Sequence, residues 1–228
     1  MTQTALIIGA SRALGLGLAT EYLRLGWNVI GTVRGDRRTG LHDLADTSDG
    51  RLTIEQLDMT SPAQLSALRD RLIDRPLDLL FVNAAVALGD LPIGEVPTDM
   101  FTEVMVTNAL SPMRALETLR PLVTPDGTIG VMSSSQGSLS MNIRGGQDAY
   151  RASKSALNQL MRCYAARYVD ASHTLLLIDP GWVQTDLGGA EAPLTIDDSI
   201  PGVAATINAQ AGKPGLQFLN YQGDVVPW

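Results

Sequence analysis

The sequence predicts an α/β protein: one domain built on a doubly wound parallel sheet of about seven strands, with helices on both faces. Three observations predict it. Apolar runs of strand length alternate with longer amphipathic stretches along the whole chain, the order expected of βαβ units. The strand-length runs are almost continuously apolar, as strands are when both faces are covered. A length of 228 residues suits one domain and leaves no room for a second.

Thr4–Gly9 (TALIIG) reads as a short buried strand. Ala13–Leu25 has helical periodicity and stops at Gly26, a C-terminal breaker. Asn28–Val33 and Leu52–Leu57 read as the second and third strands. Ser61-Pro62 opens a helix that runs to about Asp74, with serine at the cap and proline in the first turn. Leu77–Asn83 is a fourth strand. A long helix follows from about Thr98 to Leu122, with Pro112 inside it as a kink. Thr128–Ser133, a helix over roughly Asp148–Tyr168, and Thr174–Asp179 continue the alternation. A helix near Asp197–Ala209 and a short strand near Gln217–Leu219 close it. Right-handed crossovers turn this order into an open, doubly wound sheet. Such sheets bind ligands beyond the carboxyl ends of their strands, so the chemistry is sought in the loops that follow each strand.

Composition removes several classes of function. Hydrophobic residues are 45% of the chain and charged residues 18%, so a core is available and disorder is excluded. A formal net charge of −7 gives no footprint for nucleic acid or anionic membrane. One cysteine, Cys163, and two histidines, His42 and His173, argue against a disulfide framework and against a metal centre. No apolar run has the length of a membrane span. Met1–Gly9 lacks a basic leader, so no signal peptide is expected and a cytoplasmic setting is.

The first strand runs into Gly9-Ala-Ser-Arg-Ala-Leu-Gly15-Leu-Gly17 and then a helix. Glycines there let the backbone turn tightly and approach a pyrophosphate, and the helix N-terminus offers unpaired N–H groups to the anion. An ordinary tight βα turn would also use glycine. The second strand ends at Val33, and Arg34 follows, with Arg37 and Arg38 close by. A carboxylate at that strand end would favour NAD. Arginine instead suits a 2′-phosphate through its planar fork of donors, unless it is only a solvated surface charge. Arg12 can supply a second positive contact. Asp58, after the third strand, either accepts from the adenine amino group or caps the next helix.

Tyr150-Arg-Ala-Ser-Lys154 opens a helix, and the i, i+4 spacing puts phenol and ammonium on one face. A nearby ammonium favours the phenolate and is expected to lower the tyrosine pKa. Lys154 and Lys213 are the only two lysines among the 17 basic residues, so lysine at this position suggests a role that arginine fills badly. Ser133-Ser134-Ser135 follows the fifth strand, and a serine there can share a carbonyl oxygen with Tyr150. After the sixth strand, Asp179-Pro180-Gly181-Trp182-Val183-Gln184-Thr185 is either a rigid loop or a wall for a nicotinamide. Asn108, inside the long helix, either breaks helical pairing and holds a water or is merely tolerated.

Together these motifs resemble the short-chain dehydrogenase/reductase family over essentially the whole chain. The pieces are Gly9–Gly15, Asn83-Ala84-Ala85, Asn108, Ser134, Tyr150 with Lys154, and Pro180-Gly181. IIGASRALGLG, YRASKSALN, PGWVQTDLGG with APLT, and NYQGDVVPW are similar to its C-factor-like carbonyl reductases. Three departures stand out: the middle glycine of the first motif is Ala13, the usual Asn-Ala-Gly is Asn83-Ala84-Ala85, and the Ser134–Tyr150 gap is longer than in many members, with Met141–Gln147 as an extra loop.

The resemblance implies a Rossmann-type fold whose residues 1–95 mainly hold the cofactor and whose residues 96–228 carry catalysis and substrate. It implies NADPH/NADP as cofactor, with NADH as the alternative. Gly9, Ser11, Arg12, Leu14, Gly15, Arg34, Asp58, Met59, Asn83, Ala84, Ala85, Pro180, Gly181, Trp182, Val183 and Thr185 would bind it, together with Tyr150 and Lys154. Hydride would pass to the carbonyl carbon of a hydrophobic aldehyde or ketone. Tyr150 would protonate the oxygen, Ser134 hydrogen-bond it, Lys154 lower the tyrosine pKa, and Asn108 anchor a water. The competing implication is a dinucleotide-binding signalling or sensor protein of C-factor type, acting through a partner. The intact Ser/Tyr/Lys set argues for the enzyme.

Relatives also imply a homo-oligomer, dimer or tetramer, through the two long helices, with Leu157, Leu160, Met161 and Tyr164 as weak support. The substrate wall is expected from Val86, Leu88, Leu139, Met141 and Trp182. Leu187–Ser199 is expected to close as a lid on a Gly188-Gly189 hinge.

Overall fold

In the computed structural model, which describes residues 2–228, seven strands form one parallel sheet. They are β1 (Thr4–Ile8), β2 (Asn28–Val33), β3 (Leu52–Gln56), β4 (Leu77–Val82), β5 (Val123–Met132), β6 (Thr174–Asp179) and β7 (Gly215–Asn220), in spatial order 3-2-1-4-5-6-7. Every paired neighbour is parallel. The order reverses between β1 and β4, so the loops after these two strands diverge and leave a crevice at their carboxyl ends.

The period of two along each strand sorts the core into two layers. In β1, Leu6 and Ile8 face one layer while Ala5 and Ile7 face the other. The same split divides Leu80 and Val82 from Leu79 and Phe81 in β4, and Leu175 and Leu177 from Leu176 and Ile178 in β6. One layer is closed by α3 (Pro62–Arg71), α5 (Ser111–Leu119) and α6 (Asp148–Arg167). The other is closed by α1 (Ala13–Arg24), α2 (Gly40–Asp46) and α7 (Ile196–Gln210).

The expected elements are present, with three differences. α2 lies where no helix was expected: Thr39 and His42 cap it reciprocally, the imidazole Nδ1 accepting the Thr39 N–H at 3.1 Å. β5 begins earlier, at Val123, after an irregularity opposite Leu77–Leu79. The long helix is not a kinked rod. It comprises α4 (Thr98–Met105), a π-helical turn (Val106–Leu110), α5, and a last 3₁₀ turn over Arg120–Leu122. Pro112 sits in the first turn of α5, where its missing N–H is tolerated.

Of the four residues that weakly supported a dimer face, Leu157, Met161 and Tyr164 are buried in the core beneath the sheet. Only Leu160 is exposed. Their apolar spacing is fully used by intramolecular packing, so they supply no docking face. No helix among the described residues is long and apolar enough to cross a membrane.

Tyr22 and Tyr164 are among the largest fully buried side chains. Burial pushes both phenols above the ordinary tyrosine value, because the phenolate cannot be solvated there. A raised folded-state pKa gives stability that is fully present below the unfolded value of about 10 and is lost as pH rises further. The melting temperature should therefore fall between about pH 9 and 11, and the fall should be shallower in Tyr22→Phe and Tyr164→Phe. Differential scanning fluorimetry across that range checks it, and parallel slopes for all three proteins would refute it.

Candidate active site

The loops at the carboxyl ends of the strands enclose a cavity of about 1610 Å³. Its first wall is the turn from β1 into α1. Gly9 has φ +86°, a left-handed backbone that favours glycine. A Cβ on Gly15 would lie 2.0 Å from the Gly9 carbonyl oxygen and 2.7 Å from Asn83 Nδ2, so only glycine lets α1 start this close to the strand ends. Asn83 Nδ2 donates to the Gly9 carbonyl at 3.0 Å and locks the two loops together. Gly9 N–H donates to Thr32 Oγ1 at 2.9 Å, tying the turn to β2. Ala13 keeps the conformation its missing glycine would have had: its φ is +48°. A left-handed alanine costs about 1 kcal/mol.

The start of α1 has no side-chain cap and no acidic residue in its first turn. Its leading N–H groups and Ser11, Arg12 and Leu14 face the cavity, an arrangement suited to an anion. Arg34 and Arg37 line the cavity beyond β2, and neither has a salt-bridge partner among the described residues. Arg38 is different: Asp43 and Asp46 hold it on α2. Arg12 pairs at 2.7 Å with Asp186 across the mouth, but both are largely exposed and the pair is weak. Asp58 Oδ1 accepts from both the N–H and the hydroxyl of Thr60, which hold its carboxyl below the usual range. Ser61, not Asp58, caps α3. These residues fit a dinucleotide carrying a 2′-phosphate: an uncapped helix start for the pyrophosphate, and free guanidinium groups at the end of β2.

The opposite wall carries Ser134, Tyr150 and Lys154. Ser134 opens a 3₁₀ turn over Ser135–Gly137. Gly137 lies against α6, where its carbonyl accepts from Ser155 Oγ at 3.0 Å and Asn158 Nδ2 at 3.2 Å. Ser133 Oγ donates to Asn158 Oδ1 at 2.6 Å. This fixes the serine turn to the helix that bears the tyrosine, and places the Ser134 hydroxyl where it favours the ionised form of the Tyr150 phenol. Lys154 is 2% exposed, donates from Nζ to the Met132 carbonyl at 2.8 Å, and lies 5.7 Å from the Tyr150 ring centre.

The electrostatics correct one expectation. Lys154 does not lower the Tyr150 pKa here. Burial pushes the phenol up to about 12, Ser134 opposes that, and Asp179 adds to it. Burial also pushes Lys154 down to about 8. The sequence showed the one-turn spacing but not the desolvation, which is the largest influence on the phenol.

Asn108 is also placed differently. Its side chain is fully buried and does not line the cavity. Oδ1 accepts Val86 N–H at 2.8 Å, while Nδ2 donates to Val86 O at 2.7 Å and Ser153 Oγ at 3.0 Å. It clamps the loop after β4 to α6, and both amide hydrogens are used. A water would need its backbone carbonyl, which Pro112, four residues on and lacking an N–H, cannot pair. Gly15 likewise stands behind the wall, not in it; every other expected site residue lines the cavity.

Val86 and Trp182 line it, whereas Leu88, Leu139 and Met141 do not. The expected lid is pinned. Gln184 and Leu194 pair through their backbones at 2.8 Å, Gln184 Nε2 donates to Ala192 O at 2.9 Å, and Trp182 Nε1 donates to Gly188 O at 2.7 Å. At Gly188 a Cβ would meet Val183 O at 2.0 Å, so the chain packs against the preceding loop there only because the residue is glycine. Sequence reasoning missed Ser153 and left Asp179 as part of a loop. The signal for the latter was a lone carboxylate ending an apolar strand.

A family model described as Enoyl-(Acyl carrier protein) reductase matches residues 9–206. The chain belongs to the short-chain dehydrogenase/reductase family. It is an oxidoreductase of that family. A short-chain dehydrogenase/reductase from Burkholderia multivorans, solved with bound NADP, is 52% identical and superposes with a TM-score of 0.98 over 100% of both chains. A carbonyl reductase from Pseudomonas aeruginosa PAO1, in complex with NADP, is 32% identical with a TM-score of 0.93 over 100% of both. The C-signal protein of Myxococcus xanthus is 34% identical over 67% of this chain and 93% of its own length.

The strain at Ala13 is testable by urea unfolding. Ala13→Gly removes the left-handed penalty but loosens the unfolded chain, so stability should be unchanged or rise by up to about 1 kcal/mol. Ala13→Val, a β-branched residue at positive φ, should lower it by about 1–2 kcal/mol. Destabilisation by glycine would contradict the reading of this backbone.

Proposed function

We propose that the chain reduces a hydrophobic aldehyde or ketone to an alcohol, with NADPH as the preferred cofactor. The observation that carries this reading is that Ser134, Tyr150 and Lys154 line one wall of a cavity whose other wall is an uncapped helix start beside two unpaired arginines. The NADP found in the Burkholderia and Pseudomonas relatives supports the cofactor. The carbonyl reductase name of the latter supports the substrate class.

When bound, the cofactor supplies a hydride to the carbonyl carbon. Ser134 hydrogen-bonds the carbonyl oxygen, and Tyr150 gives that oxygen its proton as negative charge develops there. A phenol held near 12 keeps its proton throughout the neutral range, which suits a donor in the reducing direction. Lys154 has N–H groups beyond the one given to Met132 and would hold the nicotinamide ribose. Val86 and Trp182 give the substrate side an apolar character, in keeping with a hydrophobic carbonyl.

Tyr150→Phe keeps the ring and its packing and removes only the proton donor. kcat for aldehyde and ketone reduction, followed by NADPH absorbance, should fall more than about 100-fold, with NADPH binding nearly intact. A variant that retains more than about a tenth of wild-type activity on every substrate tested would sink the assignment.

Arg34→Asp removes a phosphate partner and adds a ribose acceptor. The ratio of kcat/KM with NADPH to that with NADH should drop by at least about tenfold, since hydrogen bonds to charged groups contribute about 1.5–3 kcal/mol. An unchanged ratio would show Arg34 to be only a surface charge.

A further inference from the structure

Asp179, the last residue of β6, is given no part in the proton and hydride transfer described above. It is 7% exposed and lines the same cavity as Tyr150 and Ser134. Its carboxylate accepts the N–H of Gly181 at 3.3 Å, and Ser135 lies where it favours the ionised form. Gly181 and Ser135 both favour the ionised carboxylate, against the burial that opposes it. Among the described residues no arginine, lysine or histidine is ion-paired with it. Lys154, the buried cation of this site, gives a hydrogen bond to the Met132 carbonyl.

A buried carboxylate without a cation is costly, and burial does raise the Asp179 pKa. Asparagine or serine could hold the same turn without a charge. The position therefore makes sense if a positive charge arrives beside it. The nicotinamide ring is neutral when reduced and carries one positive charge when oxidised. Hydride transfer needs reacting atoms about 3–3.5 Å apart, and Tyr150 and Ser134 hold the oxygen bonded to the receiving carbon. The ring therefore belongs in the part of the cavity that these residues share with Asp179.

We propose that Asp179 discriminates between the redox states of the dinucleotide: its carboxylate binds the oxidised, cationic nicotinamide in preference to the reduced, neutral one. This rests on the reading of the cavity as a nicotinamide dinucleotide site. The preference favours hydride departure, since the charge it creates on the ring has a partner already in place. The same carboxylate opposes ionisation of the Tyr150 phenol, so one charge assists the hydride donor while keeping the proton donor loaded.

The test is equilibrium binding, without turnover. NADPH is titrated by the fluorescence of its reduced ring, and NADP⁺ by displacement of NADPH. Asp179→Asn should raise the ratio of the NADP⁺ Kd to the NADPH Kd on the order of tenfold, as expected for one unit charge several ångströms away at an intermediate effective dielectric. Ser135→Ala changes a polar neighbour of the carboxylate but keeps the charge, so its ratio should match the wild type. Should Asp179→Asn fail to fold, Asp179→Ser removes the same charge with a smaller side chain and carries the same expectation. An uncharged variant that weakens both forms equally, leaving the ratio constant, would overturn the proposal and make Asp179 a structural residue only. Wild-type protein that binds neither form would overturn the dinucleotide reading itself, a result distinguishable from a constant ratio.

Discussion

The hydrogen bond from the buried Lys154 ammonium to the Met132 carbonyl is the contact on which the site depends. It joins the middle of the α6 N-terminal half to the end of β5. Tyr150 lies one helical turn before Lys154, and Ser134 lies two residues after Met132 along the chain. Fixing one pair therefore helps to fix the other, and the tyrosine and the serine come to line the same wall of the cavity. The cost is a cation taken out of water, visible in a lysine pKa pushed down to about 8. Arginine could not be accommodated in the same way, because its bulkier fork cannot end at one carbonyl and does not relinquish charge.

The other half of the cavity is built on a different principle. Around α1 the backbone does the work: Gly9, Gly15 and the Asn83 amide bring three chain segments closer than side chains normally allow. Positive charge enters at the edge, through Arg12, Arg34 and Arg37. One wall is thus a set of main-chain N–H groups suited to an anion, and the other a set of side chains suited to proton movement. The parallel sheet holds them at a fixed separation, because both hang from the carboxyl ends of its strands, β1 and β2 on one side and β5 on the other, with β4 between them.

Most of this was legible in the sequence because it is written in local patterns. Strand runs such as TLLLID, the glycine spacing after β1, and the YxxxK spacing on α6 each follow from one period or one turn. What escaped depends on the third dimension. α2 was missed because its start is a reciprocal cap between Thr39 and His42, not an apolar stripe. Leu157, Met161 and Tyr164 showed which face of α6 is apolar but not whether the sheet or a partner covers it. The Tyr150 shift could not be foreseen from its distance to a lysine, since desolvation depends on every segment closing over it. Asn108 was legible as unusual in a helix, while its partners, the backbone of Val86 and the hydroxyl of Ser153, are 22 and 45 residues away.

The π-helical turn at Val106–Leu110 also sets a rotational phase. Each residue of an α-helix advances the side-chain direction by about 100°. A turn that takes in one residue more than an α-turn therefore resets the angle between the two rods it joins. α4 can then present Asp99, Thr102 and Glu103 to the cleft. α5, on nearly the same axis, turns Ala115, Leu116 and Leu119 into the sheet. A continuous α-helix with one residue fewer would carry a single stripe and could serve only one of those surfaces. The extra residue acts as a coupling that lets one length of chain belong to the wall of a cavity at one end and to the core at the other.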